Sequence, residues 1–244
     1  MRVFMLGWEF PPFISGGLGT ACYGLTKAMD QLGVEVTFVL PAALEGQYTS
    51  HVKLLAAGSH ALTSPLKLES MKNVTFRAID SPLQPYSTPD VYQRQIEETL
   101  RQNQKDSGWA GNPFGKADYS GDMYREVYRY AAIAAQLAAE EQFDIVHAHD
   151  WITYPAGILV SQMSGKPLIV HVHSTEFDRS GEHVNQMIYD IERQGMHAAH
   201  RIITVSHFTR NILISRYGVP GEKVEVVHNG VQRNGGEWTL NETG

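Results

Sequence analysis

The sequence predicts an α/β fold, a Rossmann-like doubly wound parallel sheet with helices on both faces. Three observations point there. Short apolar and β-branched runs alternate with stretches of helical period through most of the 244 residues. The main junctions lack the tight turns that join antiparallel strands. The first run also passes through a glycine-rich turn directly into a helix.

Residues 3–6 (Val-Phe-Met-Leu) form a short apolar run that reads as a buried strand, and residues 18–32 carry apolar side chains at helical spacing. Residues 34–40 are a second buried strand that Pro41 is expected to end. Shorter strand candidates follow at 52–56 and 74–79. Met123, Val127, Ala131, Ala134 and Ala138 recur at steps of three or four, which predicts a helix over 122–142. A strand at 144–149 and a helix at 152–163 come next. The runs at 167–172, 201–205 and 223–227 are three further strands, separated by helices at 183–199 and 207–216. Residues 81–121 break the rhythm: four prolines and four glycines surround one helix candidate at 90–104, as in an inserted segment. The expectation is one domain over 1–231 with that insert, followed by a polar tail or interdomain linker at 232–244.

Hydrophobic residues make up 43% and charged residues 19%, an ordinary globular balance. The formal net charge of −6 gives no electrostatic reason to expect nucleic acid as a partner. The single cysteine, Cys22, excludes an intrachain disulfide and reads as a small packing residue on the first helix. Glu9 and Pro11-Pro12 interrupt the apolar start, so it is not read as a signal peptide. No run approaches the roughly 20 apolar residues that span a membrane, and a cytoplasmic location is the expectation.

Chemistry-bearing residues gather where strands end. In Ser15-Gly16-Gly17-Leu18-Gly19 the glycines let the backbone approach a ligand closely. The first turn of the helix that follows offers free N–H groups and the positive end of the macrodipole to an anion such as phosphate. His147-Ala148-His149-Asp150-Trp151 closes one strand, and His171-Val172-His173-Ser174-Thr175-Glu176 closes another. Alternate residues of a strand share a face, so neighbouring strands would bring four imidazoles together. Three readings stay open for them: a zinc or iron site, a polar sugar or phosphate pocket, or hydrogen-bonded core histidines with His147 and His171 deepest. Trp151 either stacks on a sugar ring or packs at the top of the next helix. Ser206 reads as a helix N-cap whose place at a strand end also allows it to face the cleft, and Asn229-Gly230 as a turn after the last strand. Arg179, Arg193, Arg201 and Arg210 read as single surface charges.

In combination, Glu9-Phe10-Pro11-Pro12, Gly16-Gly17-Leu18-Gly19, His147-Ala148-His149-Asp150-Trp151, Thr204-Val205-Ser206 and Asn229-Gly230-Val231 resemble the amino-terminal half of the retaining glycosyltransferases that include bacterial glycogen and starch synthases. That family has the two-domain GT-B fold. The resemblance implies transfer of a hexose, glucose first, from a nucleotide sugar such as ADP-glucose or UDP-glucose to a glucan or other sugar acceptor, with no metal and no other cofactor. It also implies residue roles. Gly16, Gly17 and Leu18 would bind the donor phosphates, and His149 would be the catalytic contact to the transferred sugar. Glu9, Asp150, Trp151, Ser174, Thr175, Ser206 and Asn229 would line the sugar and acceptor side. Retention then rests on positioning and on stabilising an oxocarbenium-like state and a departing diphosphate. Ile14 stands where glycogen synthases carry a lysine, which leaves another sugar acceptor equally open. A second, carboxyl-terminal Rossmann-like domain carrying most of the nucleotide site is expected as the partner of this chain, whether the chain is a truncated piece or a separate subunit. A non-catalytic carbohydrate- or nucleotide-binding module and a metal-dependent hydrolase are the competing functions.

Overall fold

The computed structural model describes residues 1–10, 17–42, 66–67, 71–81, 83, 93–94 and 123–230. The strand expected at 52–56, nearly all of the insert at 81–121 and the tail at 232–244 lie outside the described residues.

Eight strands form one sheet: β1 (Arg2–Leu6), β2 (Glu35–Ala42), β3 (Leu66–Lys67), β4 (Val74–Asp80), β5 (Ile145–His149), β6 (Leu168–Val172), β7 (Arg201–Thr204) and β8 (Val224–Val226). Their order is β3-β4-β2-β1-β5-β6-β7-β8, parallel throughout except for the short edge strand β3, which runs antiparallel to β4. The helices are α1 (Gly17–Gln31), α2 (Met123–Glu140), α3 (Tyr154–Ser164), α4 (Glu176–Ser180), α5 (Gln186–Ala198) and α6 (His207–Tyr217). Parallel neighbours need crossovers, and the helices supply them. β1 shows why such strands read as unbroken apolar runs: Val3, Phe4, Met5 and Leu6 are all buried.

β2 does not stop at Pro41, because Pro41 pairs in register with Ile79 of β4. Its missing N–H lies on the side of β1, as does the Val39 carbonyl that accepts from Gly7, and β1 itself ends at Leu6. No ladder partner is lost there.

β1 leads through α1 to β2 on one side, whereas β5 leads through α3 to β6 on the other. The strand order therefore reverses between β1 and β5, and the crevice at their carboxyl ends is the place where such sheets take ligands. α3 lies close to the sheet behind this crevice. A Cβ at Gly157 would stand 2.9 Å from both the Ala148 Cβ and the Leu168 Cδ1. Ala148 thus faces α3, and the alternation of a strand sends His147 and His149 to the opposite face, the side of α1.

A histidine cluster at the topological switch point

His149 and His171 are register partners on β5 and β6, so the four imidazoles do converge. The rings of His147 and His149 lie 4.3 Å apart, those of His149 and His171 5.0 Å, and those of His171 and His173 4.2 Å. His147 and His171 are close to parallel, at 7°. Burial holds all four far on the neutral side: His171 falls to about 3, His173 to about 4, and His147 and His149 lie well below their ordinary value.

His149 is buried completely. Its Nδ1 stands 3.0 Å from the Nε2 of His173 and 3.7 Å from the Sγ of Cys22 on α1. α1 and β6 close over the ring, so the side chain that the resemblance sets against the transferred sugar is not open to the cleft. The Nε2 atoms of His147 and His149 and both ring nitrogens of His171 have no hydrogen-bond partner among the described residues. Unmet polar atoms at such depth are costly, and they gather here at the crevice of the fold. Cys22 is the packing residue expected on α1, its thiol pushed up and kept protonated by burial, and sequence gave no sign that it touches His149. Gly17 opens α1 five residues earlier and is exposed, so the free N–H groups of the helix start about 7.5 Å along the axis from Cys22. Leu18 turns inward and is buried, and Gly16 lies outside the described residues.

Two residues expected on the acceptor wall face inward instead. Trp151 is 3% exposed and packs beside Tyr124 with ring centroids 6.5 Å apart, so packing rather than sugar stacking is its position. Asp150 is 2% exposed and works as a clamp. Its backbone N–H donates to the His171 carbonyl (3.0 Å) and its Oδ1 accepts from the His173 N–H (2.8 Å). Its φ of 56° is a strained conformation for a residue other than glycine, held by these bonds. Burial pushes its carboxyl up to about 7 against the pull of the His173 N–H and Arg179.

Thr175 is fully buried as the N-cap of α4, its N–H and hydroxyl both donating to Asp178. Ser174 is half-buried and accepts from Arg179 (3.2 Å). Ser206 caps α6 as expected, accepting from the Thr209 N–H at 3.0 Å. Asn229 is exposed beyond β8, and Glu9 is buried just after β1.

Arg179 is no isolated surface charge. It bonds Glu176 (3.0 Å) and the buried Glu192 (2.6 Å), and Glu192 also accepts from the Glu176 N–H (3.0 Å) and the Tyr217 hydroxyl. Burial raises the Glu192 carboxyl to about 7. The acidic partners of Arg179 lie three residues before and thirteen after it, on two different helices. Only the nearer one is visible as a helical pair in sequence.

The imidazoles also bear on metal binding. His147, His149 and His171 bring ligand nitrogens within 4.8 Å of one another, as do the ligand atoms of Cys22, His149 and His173. Imidazole lone pairs lie in the ring plane, however, and near-parallel rings such as His147 and His171 point them side by side rather than at one centre. Among the described residues, no helix is long and apolar enough to cross a membrane.

A reversed parallel sheet with polar residues at its crevice is a Rossmann-like domain, and solved structures of GT-B glycosyltransferases share the fold. The chain is similar to the catalytic domain of starch synthase IV from Arabidopsis thaliana, a structure with ADP and acarbose bound (TM-score 0.58, 16% identity, 94% of this chain and 52% of that one). It is also similar to HepE from Anabaena in complex with UDP and glucose (TM-score 0.52, 17% identity, 95% and 45%). The chain belongs to Glycosyltransferase Family 4, which it matches over residues 90–234. Along 95% of its length it is similar to an uncharacterized glycosyltransferase of Methanocaldococcus jannaschii at 23% identity and to the glycogen synthase of Mycobacterium tuberculosis at 22%. It spans 46% and 48% of those two proteins, about half their length.

Proposed function

We propose that this chain is the amino-terminal, acceptor-side half of a cytoplasmic, retaining glycosyltransferase that moves a hexose, glucose first among candidates, from a nucleotide sugar to a glucan or other sugar acceptor. The observation that carries this reading is His149: a neutral imidazole at the switch-point crevice whose Nε2 has no partner among the described residues. The exposed start of α1 lies close by on the same face, where the backbone N–H groups of Gly17 and Leu18 can take the donor phosphates, a role the sequence resemblance extends to Gly16. ADP-glucose and UDP-glucose are the donors to test, since the starch synthase structure holds ADP and the HepE structure UDP and glucose. Ser174, Ser206 and Asn229, at the carboxyl ends of β6, β7 and β8, meet the acceptor. Glu9, Asp150, Trp151 and Thr175 support that wall from behind.

The chemistry asked of these groups is orientation and charge stabilisation rather than covalent catalysis. His149, covered by α1 and β6, meets the transferred sugar once α1 draws back from the ring, a contact that orients the hexose for departure of the diphosphate. A second Rossmann-like domain closes the cleft and supplies the cations for the departing diphosphate. No metal takes part.

The chain alone, incubated with ADP-glucose or UDP-glucose and a glucan, should release no nucleoside diphosphate above background. Joined to its second domain it should, and His149→Ala should lower that turnover by about 10²–10³-fold, the scale of losing one preorganised donor. Turnover by the chain alone would sink the two-domain account. Undiminished turnover in His149→Ala would remove His149 from the mechanism. Elemental analysis finding one zinc or iron per chain on the histidines would favour a metal-dependent hydrolase, and tight nucleotide binding with no turnover in any form would favour a binding module.

A further inference from the structure

Ser174 stands two residues beyond the end of β6, half-buried, and is held at two points. Its backbone N–H joins that of His173 on the Asp150 carboxylate, and its Oγ accepts from the Arg179 Nη1 at 3.2 Å. A serine hydroxyl has one proton and two lone pairs. Arg179 occupies one lone pair, so the proton and the other lone pair stay available at the mouth of the crevice. A sugar hydroxyl offers the same two functions in return.

The guanidinium behind Ser174 carries no uncompensated charge. Its Nε bonds Glu176 at 3.0 Å and its Nη2 bonds Glu192 at 2.6 Å. Asp150 is a third carboxyl group within electrostatic reach of it, and Asp178 acts on Asp150 in turn. Such a cation still donates hydrogen bonds, but the field around it is that of the surplus carboxylates. A phosphate dianion brought to Ser174 would gain a single guanidinium N–H and face those four acidic side chains. Like charges set together at a binding surface repel strongly, and a neutral hydroxyl meets no such penalty.

We propose that Ser174 is a contact for an uncharged acceptor, and that the carboxyl groups gathered round Arg179 exclude acceptors carrying a phosphate at this place. The proposal rests on the reading that this side of the crevice takes the acceptor. It narrows that acceptor from any sugar to one that brings a free hydroxyl to Ser174, as a glucan chain does.

The test sets a neutral oligosaccharide against a sugar phosphate. Maltopentaose and glucose 6-phosphate are titrated separately into the 15N-labelled chain at pH 8, where the Glu192 and Asp150 carboxyls, near 7, are mostly ionised. Maltopentaose should shift the amide resonances of Ser174 and Thr175, with a Kd at least about tenfold below that of glucose 6-phosphate. Ser174→Ala should weaken maltopentaose about fivefold or more. Glu192→Gln, which removes one negative charge from beside Arg179, should narrow the gap between the two ligands. Joined to its second domain, the protein should elongate maltopentaose and leave glucose 6-phosphate unglucosylated with either ADP-glucose or UDP-glucose. Glucose 6-phosphate binding at Ser174 as tightly as maltopentaose, or serving as the better acceptor, would overturn the proposal and leave the transferase reading standing. Maltopentaose that spares the Ser174 resonance or binds Ser174→Ala unchanged, a gap that Glu192→Gln leaves as wide, or no shift with either ligand would each overturn it too. The transferase reading falls separately, on a joined protein that turns over neither donor with any acceptor. Should Glu192→Gln fail to fold, wild type and Ser174→Ala still decide which ligand Ser174 meets.

Discussion

Two buried polar clusters lie beside β6, and they are satisfied in opposite ways. In the first, the imidazoles of β5 and β6 stack with four ring nitrogens unmatched among the described residues, every ring kept neutral by burial. In the second, both carboxylate oxygens of Glu192 are occupied, one by Arg179 and the other by the Glu176 N–H and the Tyr217 hydroxyl. Glu176 is equally engaged, accepting from Arg179, Ser180 and the Asn185 N–H. The Glu192 cluster fastens the segment after β6 to α5 and α6 and leaves little bonding capacity over. The histidine cluster keeps its capacity unspent at the mouth of the sheet. The completed network fits a scaffold, and the incomplete one lies at the topological switch point, where the ligand site is proposed.

Replacing Glu192 should have the largest effect of the changes that probe this contrast. Glu192→Ala leaves the partly exposed Arg179 guanidinium with Glu176 alone and the buried Tyr217 hydroxyl without its acceptor, which should cost about 2–3 kcal/mol in chemical denaturation. A loss below about 1 kcal/mol would mean that the network fastens nothing and would erase the contrast.

Acid should come next. His171 and His173 titrate near 3 and 4 when folded and near 6.5 when unfolded, so the unfolded chain takes up their protons first. The stability they contribute is complete above 6.5 and drains away as the pH falls toward those folded values. His147 and His149 act in the same direction. Asp150 and Glu192, near 7 when folded, work oppositely: their stabilising protonated forms are lost as the pH rises through 7. Four imidazoles outweigh two carboxyls between pH 6.5 and 5, and each net proton is worth about 1.4 kcal/mol per pH unit. The melting temperature should therefore fall across that interval. A flat or rising profile would mean that the carboxyls dominate.

The smallest effect should come from His147→Phe. Exchanging an imidazole with an unmatched nitrogen for an apolar ring of similar shape should change stability by no more than about 1 kcal/mol. A loss as large as that of Glu192→Ala would show that His147 is hydrogen-bonded after all and would put both clusters in one class.

The fold was legible because parallel strands buried on both faces write themselves as unbroken apolar runs, as in residues 3–6 and 168–172. Convergence of the histidines followed from the two-residue alternation of a strand once β5 and β6 proved to be neighbours. What stayed hidden depends on contacts distant in sequence. Cys22 meets His149 across 127 positions, and Tyr217 meets Glu192 across 25. No local pattern records such pairs. The inward turn of Asp150 and Trp151 was hidden for another reason. It hangs on the φ of one residue, and nothing in the composition of His149-Asp150-Trp151 announces a positive value. Pro41 misled because a proline ends a strand only where the lost N–H had a partner.

Gly157 gives the histidines a backstop. The strand that presents His147 and His149 on one side is a single backbone thick, and on its other side Ala148 already touches α3 at the glycine. A methyl group added there meets two atoms at 2.9 Å, the Leu168 Cδ1, which can turn away, and the Ala148 Cβ, which cannot move without its strand. Either α3 lifts or β5 bows toward α1 and carries both imidazoles with it. An alanine at 157 should therefore behave like a lesion of the proposed sugar site, although the position lies on a helix behind the sheet.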